Sequence, residues 1–82
     1  MKILIIRLSS LGDIILTQPV VKLLKIKYPT SKITYLTKEV FGPLLKTFPE
    51  VDEIITWENL KNTKDILRKC YFDLVVDLHK KI

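Results

Sequence analysis

Short, continuously apolar runs rich in β-branched residues alternate with helix-length stretches along the whole chain, and no other feature narrows the fold as much. Ile3-Leu4-Ile5-Ile6 is the first such run, with the pattern of a parallel strand covered on both faces. From Gly12 to Tyr28, Ile15, Leu16, Val20, Leu23 and Leu24 recur at helical spacing, with Lys22, Lys25 and Lys27 on the other side. The spacing predicts a helix with that apolar set facing inward. Pro19 inside it predicts a kink or a restart, with Thr17 as a cap, and Pro29 marks the stop. Ile33 to Leu36 reads as a second strand, and Glu39 to Lys46 as a short helix despite Gly42 and Pro43. Glu53 to Trp57 follows as a third strand, Leu60 to Lys69 as a third helix and Phe72 to Leu78 as a fourth strand. This alternation predicts right-handed crossovers and the α/β class, a parallel, doubly wound sheet.

The chain has 82 residues, less than an average domain of roughly 100 to 150, so it is one small domain or part of one. A domain of this size buries only about 60% of its unfolded surface and is marginally stable by itself. With 48% hydrophobic and 28% charged residues and few glycines or prolines, it is neither a disordered nor a low-complexity chain. A net charge of +5 favours anionic partners without choosing among phosphorylated sugars, nucleic acid and an anionic membrane surface. Cys70 is the only cysteine, which excludes an internal disulfide and a cysteine-rich zinc site and fits a reducing cytoplasm. Arg7 cuts the first apolar run far short of a signal-peptide core or a membrane span, so the expected location is cytoplasmic or peripheral.

In doubly wound sheets, ligands bind beyond the carboxyl ends of the strands, where the strand order reverses. If the order is 3-2-1-4, the loop after Ile6 and the segment after Leu78 meet there. The loop Arg7-Leu8-Ser9-Ser10-Leu11-Gly12-Asp13 offers two hydroxyls, a glycine and a carboxylate at a helix start. Ser9, Ser10 or Asp13 could simply cap the helix; alternatively, Asp13 is a general base kept ionised by the helix dipole. Gly12 is either a plain turn residue or a point of close backbone approach to a ligand. Arg7 could fork onto a substrate phosphate or carboxylate, or onto an acid of the chain itself. His79 is either solvated at a strand end or a donor to a ligand, and Asp77 is equally open. Neither G-x-G-x-x-G nor G-x-x-x-x-G-K-[ST] is present, so neither NAD nor ATP is expected. One His and scattered acids make no metal set, and no cofactor is expected.

The opening Met1 to Pro19, with its strand, S-S-x-G-D and a proline six residues on, closely resembles the amino terminus of glycosyltransferase family 9, the ADP-heptose:lipopolysaccharide heptosyltransferases. Tyr28-Pro29, the run from Phe48 to Ile55 and the run from Tyr71 to His79 resemble that family in the same order. The resemblance implies a GT-B enzyme of two Rossmann-like domains, of which residues 1–82 would be the incomplete amino-terminal, acceptor-side domain, with the donor domain absent. It implies that Asp13 is the base for inverting transfer. Ser9, Ser10, Gly12, Arg7 and His79 would then shape the acceptor site. Lys80 departs from the family, which often has a glycine there. The implied partners are an ADP-heptose donor and a lipopolysaccharide-core acceptor at the inner membrane face.

Family members run on well past this length. The expectation for these residues alone is therefore an inert, weakly stable piece, able to dimerise through the exposed edge of its fourth strand. Two readings compete: a non-catalytic, flavodoxin-like binding module, and nucleic-acid binding, which charge alone favours. The basic Arg7-Leu8-Ser9-Ser10 lacks the acidic pair of a receiver domain, and no nucleic acid is expected as a partner.

Overall fold

The computed structural model describes residues 1–8, 10–57 and 71–78. Strand β1 (Lys2–Ile6) leads into helices α1 (Leu11–Leu16) and α2 (Gln18–Lys27). Strand β2 (Lys32–Lys38) follows, then a 3-10 turn (Glu39–Phe41), the short helix α3 (Gly42–Leu45), β3 (Glu53–Trp57) and β4 (Leu74–Asp77). The four strands form one parallel sheet in the order β3-β2-β1-β4. The condition of a 3-2-1-4 order is therefore met, and the order reverses between β1 and β4. The expected helix from Leu60 to Lys69 lies outside the described residues, as do Cys70, Lys80 and Lys81.

Hydrogen bonds fix the register at both ends of β4. The Asp73 amide donates to the Lys2 carbonyl at 2.8 Å, and the Asp73 carboxylate accepts the Lys2 amide at 2.7 Å. At the other end the Leu78 amide donates to the Ile6 carbonyl at 2.9 Å. Side chains alternate across the sheet. Ile3, Ile5, Ile33 and Tyr35 join Ile14, Val21, Leu45 and Phe48 in the larger core, while Leu4, Leu36 and Ile55 form a smaller one on the opposite face. In β2, flanked by β1 and β3, all five residues from Ile33 to Thr37 are buried.

The helical stretch breaks once, where Pro19 predicted. α1 ends at Leu16, and α2 restarts from Thr17 with the proline in its first turn, where no amide hydrogen is needed. Pro43 stands likewise in the first turn of α3. The inward face differs from the expected one. Ile14 and Val21 are fully buried and Leu24 packs beside them, whereas Leu16 and Leu23 are 73% and 65% exposed and Ile15 is also exposed. The buried stripe is Ile14-Thr17-Val21-Leu24-Tyr28, at intervals of three and four. Its second member is a hydroxyl residue, so a count of apolar positions settles on the neighbouring stripe.

The sequence runs after the second helical stretch turn out to be structural. Phe48 is buried in the larger core. Asp52 latches β2: its amide donates to the Ile33 carbonyl at 2.9 Å, and its carboxylate accepts the Ile33 amide at 2.8 Å and the Lys25 ammonium at 3.0 Å. Burial opposes ionisation of Asp52, but the Ile33 amide and the Lys25 and Lys32 charges outweigh it and hold the carboxyl below its ordinary range.

Candidate functional site

The reversal of strand order puts the residue after β1 beside the residue after β4. Arg7 leaves β1 with its amide still donating to the Leu36 carbonyl of β2 at 3.1 Å. Its side chain runs back over β4, where Nη1 donates to the Leu78 carbonyl at 2.6 Å. Nη2 reaches the Asp13 carboxylate at 2.8 Å. Two strand ends and the first turn of α1 are thereby tied through one guanidinium.

Asp13 is held from its own helix as well. Ser10 sits at the amino-terminal cap of α1 and Asp13 two residues inside the helix, in the relation of a capping box. The Ser10 hydroxyl donates to Asp13 Oδ2 at 2.8 Å, and the Ser10 amide approaches the same oxygen at a longer 3.4 Å. Among the described residues, every donor to Asp13 thus converges on Oδ2. Ser10 first, and the Arg7 guanidinium second, hold the Asp13 carboxyl below its ordinary range. The sequence credited the helix dipole with this. α1 has only six residues, and the Ser10 hydroxyl, the Ser10 amide and the Arg7 guanidinium each lower the carboxyl.

Arg7, Asp13, Leu16, Thr17, Val20 and Leu78 line a cleft of about 180 Å³. Its floor is anchored by a buried hydroxyl pair. Thr17 Oγ1 donates to the Ile14 carbonyl at 2.6 Å and lies 2.8 Å from Tyr35 Oη. A hydroxyl has one proton, so with that proton committed to Ile14, Tyr35 is the donor to Thr17. Tyr35 is fully buried, and burial raises its phenol above the ordinary value. Tyr35 is thus a core residue.

Four of the predicted site residues gather here. Arg7, Ser10 and Asp13 are in direct contact, and Gly12 is the residue before Asp13 in α1. Ser9 and His79 lie outside the described residues. Asp13 Oδ2 serves the cap, as the capping reading expects, and Asp13 also lines the cleft. Gly12 is a helical residue, and a Cβ added to it would meet nothing within 4 Å among the described residues. Neither a turn nor internal packing demands glycine there. Leu16, Thr17, Val20 and the Leu78 carbonyl were not singled out as site residues. Only the break at Thr17 and the place of Leu78 at a strand end could have pointed to them.

Among the described residues there is no group of three or more His, Cys, Asp or Glu side chains that could hold a metal ion. No described helix is long and apolar enough to cross a membrane.

No protein-family model matches the chain. Individual relatives do. Lipopolysaccharide heptosyltransferase 3 of Escherichia coli strain K12 is 33% identical over 82% of this chain and 23% of its own length. Lipooligosaccharide heptosyltransferase 2 of Haemophilus ducreyi is 41% identical over 68% of this chain and 16% of its own length. Among solved structures, a glycosyl transferase family 9 protein from Veillonella parvula superposes with a TM-score of 0.83 at 29% identity, covering 98% of this chain and 26% of the other. The ADP-heptose lipopolysaccharide heptosyltransferase II of Escherichia coli gives a TM-score of 0.83 at 32% identity, covering 94% of this chain and 24% of the other. The chain spans a quarter or less of the curated relatives it matches.

Proposed function

From its homology, in sequence and fold, to the heptosyltransferases of glycosyltransferase family 9, we propose that this chain is the acceptor side of an inverting glycosyltransferase. In this reading residues 1–82 are the start of an acceptor-binding domain, and the remaining length of the relatives corresponds to its completion and to a donor domain facing it in the GT-B manner. The complete protein passes heptose from ADP-heptose to the inner core of lipopolysaccharide. It works in the cytoplasm, peripheral to the inner membrane where its lipid-linked acceptor lies. Two isolated chains pairing along the outer edge of β4 would give the dimer expected of the piece, which sedimentation across a concentration series would reveal.

The observation that carries the reading is the Asp13 carboxylate, fixed through one oxygen in a cleft at the reversal of strand order. Oδ1 takes the proton of the acceptor hydroxyl as that oxygen bonds to the anomeric carbon. The bond from that carbon to the diphosphate breaks on the opposite side, and ADP leaves with the electron pair. Carboxylate, hydroxyl and sugar must be held in line, which is the role of the loop from Arg7 to Gly12. Gly12 supports this: its own helix does not need a glycine, and a bare backbone beside the base lets a sugar ring approach.

The test is turnover by the complete protein carrying Asp13→Asn. Asn keeps the cap and cannot accept the proton, so the rate falls by about 10²- to 10⁴-fold with the fold intact. Unchanged turnover would remove Asp13 from the chemistry.

A further inference from the structure

Among the described residues, the guanidinium of Arg7 is only half used. Nη1 is committed to the Leu78 carbonyl, and Nη2 to a single oxygen of Asp13. Nε lies on the same edge of the guanidinium as Nη2, is buried, and has no hydrogen-bond partner among the described residues. This edge can grip two oxygens of one anion in parallel, the stronger and more directional mode, yet Asp13 supplies one. An unpaired buried donor is costly. The Asp13 partner is itself 49% exposed and sits on the wall of the cleft, where an entering anion can compete with it for Nη2.

We propose that Arg7 is a positioning residue that exchanges partners: it grips Asp13 in the structure described here and passes to a two-oxygen anion, a phosphate or carboxylate, that enters the cleft beside Leu78 and Thr17. The anion takes Nε and Nη2 together. Asp13 keeps Ser10 and loses the guanidinium. One of the two influences that hold its carboxyl low is then removed, and it becomes a stronger proton acceptor once the anionic group is seated. That consequence for catalysis rests on Asp13 being the base; the exchange itself does not. Among the described residues, the titratable groups nearby do not blur it. Tyr35, below Arg7 on β2, stays protonated because burial raises it. Asp77 alternates with Val76 and Leu78, which pack on the larger core, and so stands on the other face of the sheet.

Binding of the anion and of a proton to Asp13 must be linked, each favouring the other by the same factor. The experiment is a titration of the protein with inorganic phosphate and, separately, with trifluoroacetate, a carboxylate that stays ionised where Asp13 titrates, followed by carbon NMR of the Asp13 carboxyl. Wild type is compared with Asp13→Asn, Arg7→Gln and Arg7→Lys, all at exposed or partly exposed positions. An ion pair of this exposure is worth little, so Asp13→Asn should bind the anion about two- to fivefold more tightly than wild type. Saturating anion should raise the midpoint of Asp13 titration in the wild type. It should leave the midpoint unmoved in Arg7→Gln, and Arg7→Lys, which keeps the charge without the fork, should bind the anion more weakly than wild type. Whichever of phosphate and trifluoroacetate moves the midpoint names the anion. If neither does, or if Asp13→Asn binds no more tightly than wild type, the exchange is overturned. Turnover plays no part in these readouts, so loss of the base role by Asp13→Asn kinetics would leave the exchange standing, and the reverse also holds.

Discussion

Removing the buried hydroxyl pair one member at a time should give unequal costs, because the two hydroxyls are not equivalent. Tyr35 donates to Thr17, and Thr17 donates to the Ile14 carbonyl. Tyr35→Phe removes one hydrogen bond and strands no donor, since Thr17 keeps Ile14; the expected loss is about 0.5–1.5 kcal/mol. Thr17→Val is worse. The Ile14 carbonyl still accepts the residue-17 amide at 3.0 Å, but the phenol of Tyr35, fully buried, is left with a proton and no acceptor. That orphan costs about 1–3 kcal/mol, and for a domain of this size a loss of about 2 kcal/mol lowers Tm by roughly 8–16 °C. Combining the two substitutions removes the orphan. The double variant should therefore be more stable than Thr17→Val alone, although it carries one change more. Urea unfolding followed by circular dichroism on the four proteins measures the cycle. A double variant less stable than Thr17→Val would refute the assigned direction of donation and the burial of the pair.

The inward face of α1 and α2 is tested by Ile14→Ala, which should cost about 2–5 kcal/mol at a fully buried position, against Leu23→Ala on the outer stripe, which should stay within about 0.5 kcal/mol; denaturant midpoints decide between the two faces. Asp52 has a folded pKa below its unfolded value, so its contribution is present above the ordinary carboxylate range and is lost as pH falls through the depressed folded value. The Tm gap between wild type and Asp52→Asn should then be full at pH 7 and narrow on acidification below about pH 4, the ordinary range; a gap constant with pH would contradict the latch. Gly12→Ala should raise stability by about 0.4–1 kcal/mol, since the added methyl meets nothing among the described residues and the unfolded chain loses freedom. In the complete protein the same change should weaken use of the acceptor, measured as a rise in its KM.

The strands were legible as short runs rich in β-branched and aromatic residues between helix-length stretches, although only β1 carries an unbroken apolar run and β4 is exposed at every second residue. β3 has the expected bounds, and β1 and β2 differ only by flanking lysines and Thr37, whose pleated backbone continues past the apolar residues. β4 is shorter than the run from Phe72 to Leu78, since pairing starts only after Asp73 has turned back to Lys2. The helix face was not legible. Thr17 belongs to the buried stripe only because Ile14 and Tyr35 satisfy its hydroxyl, and Tyr35 lies 18 residues away in another element. Loop composition pointed to Asp13, and it left open whether Arg7 would face a substrate or an acid of the chain. The partner proved to be Asp13 itself, a contact that needs the loop's folded path.

Strand order decides more about the site than the loop sequence does. Ser10 and Asp13 are three residues apart and would meet in any helix starting there. Arg7 is different. Its Nη1 rests on the carbonyl of Leu78, 71 residues away, and that carbonyl is in reach only because β4 lies against β1 with Ile6 opposite Asp77. Were β4 to add at the β3 edge, the loop would keep its serine cap while Arg7 lost the anchor that aims Nη2 at Asp13. Substitutions that loosen the β1–β4 pairing, such as Asp73→Ala at its far end, should therefore disturb the Asp13 carboxylate without touching its loop. Carbon NMR of Asp13 in that variant reads this directly: the midpoint rises toward the ordinary carboxylate range if the anchor is strand order, and stays low if Ser10 alone sets it.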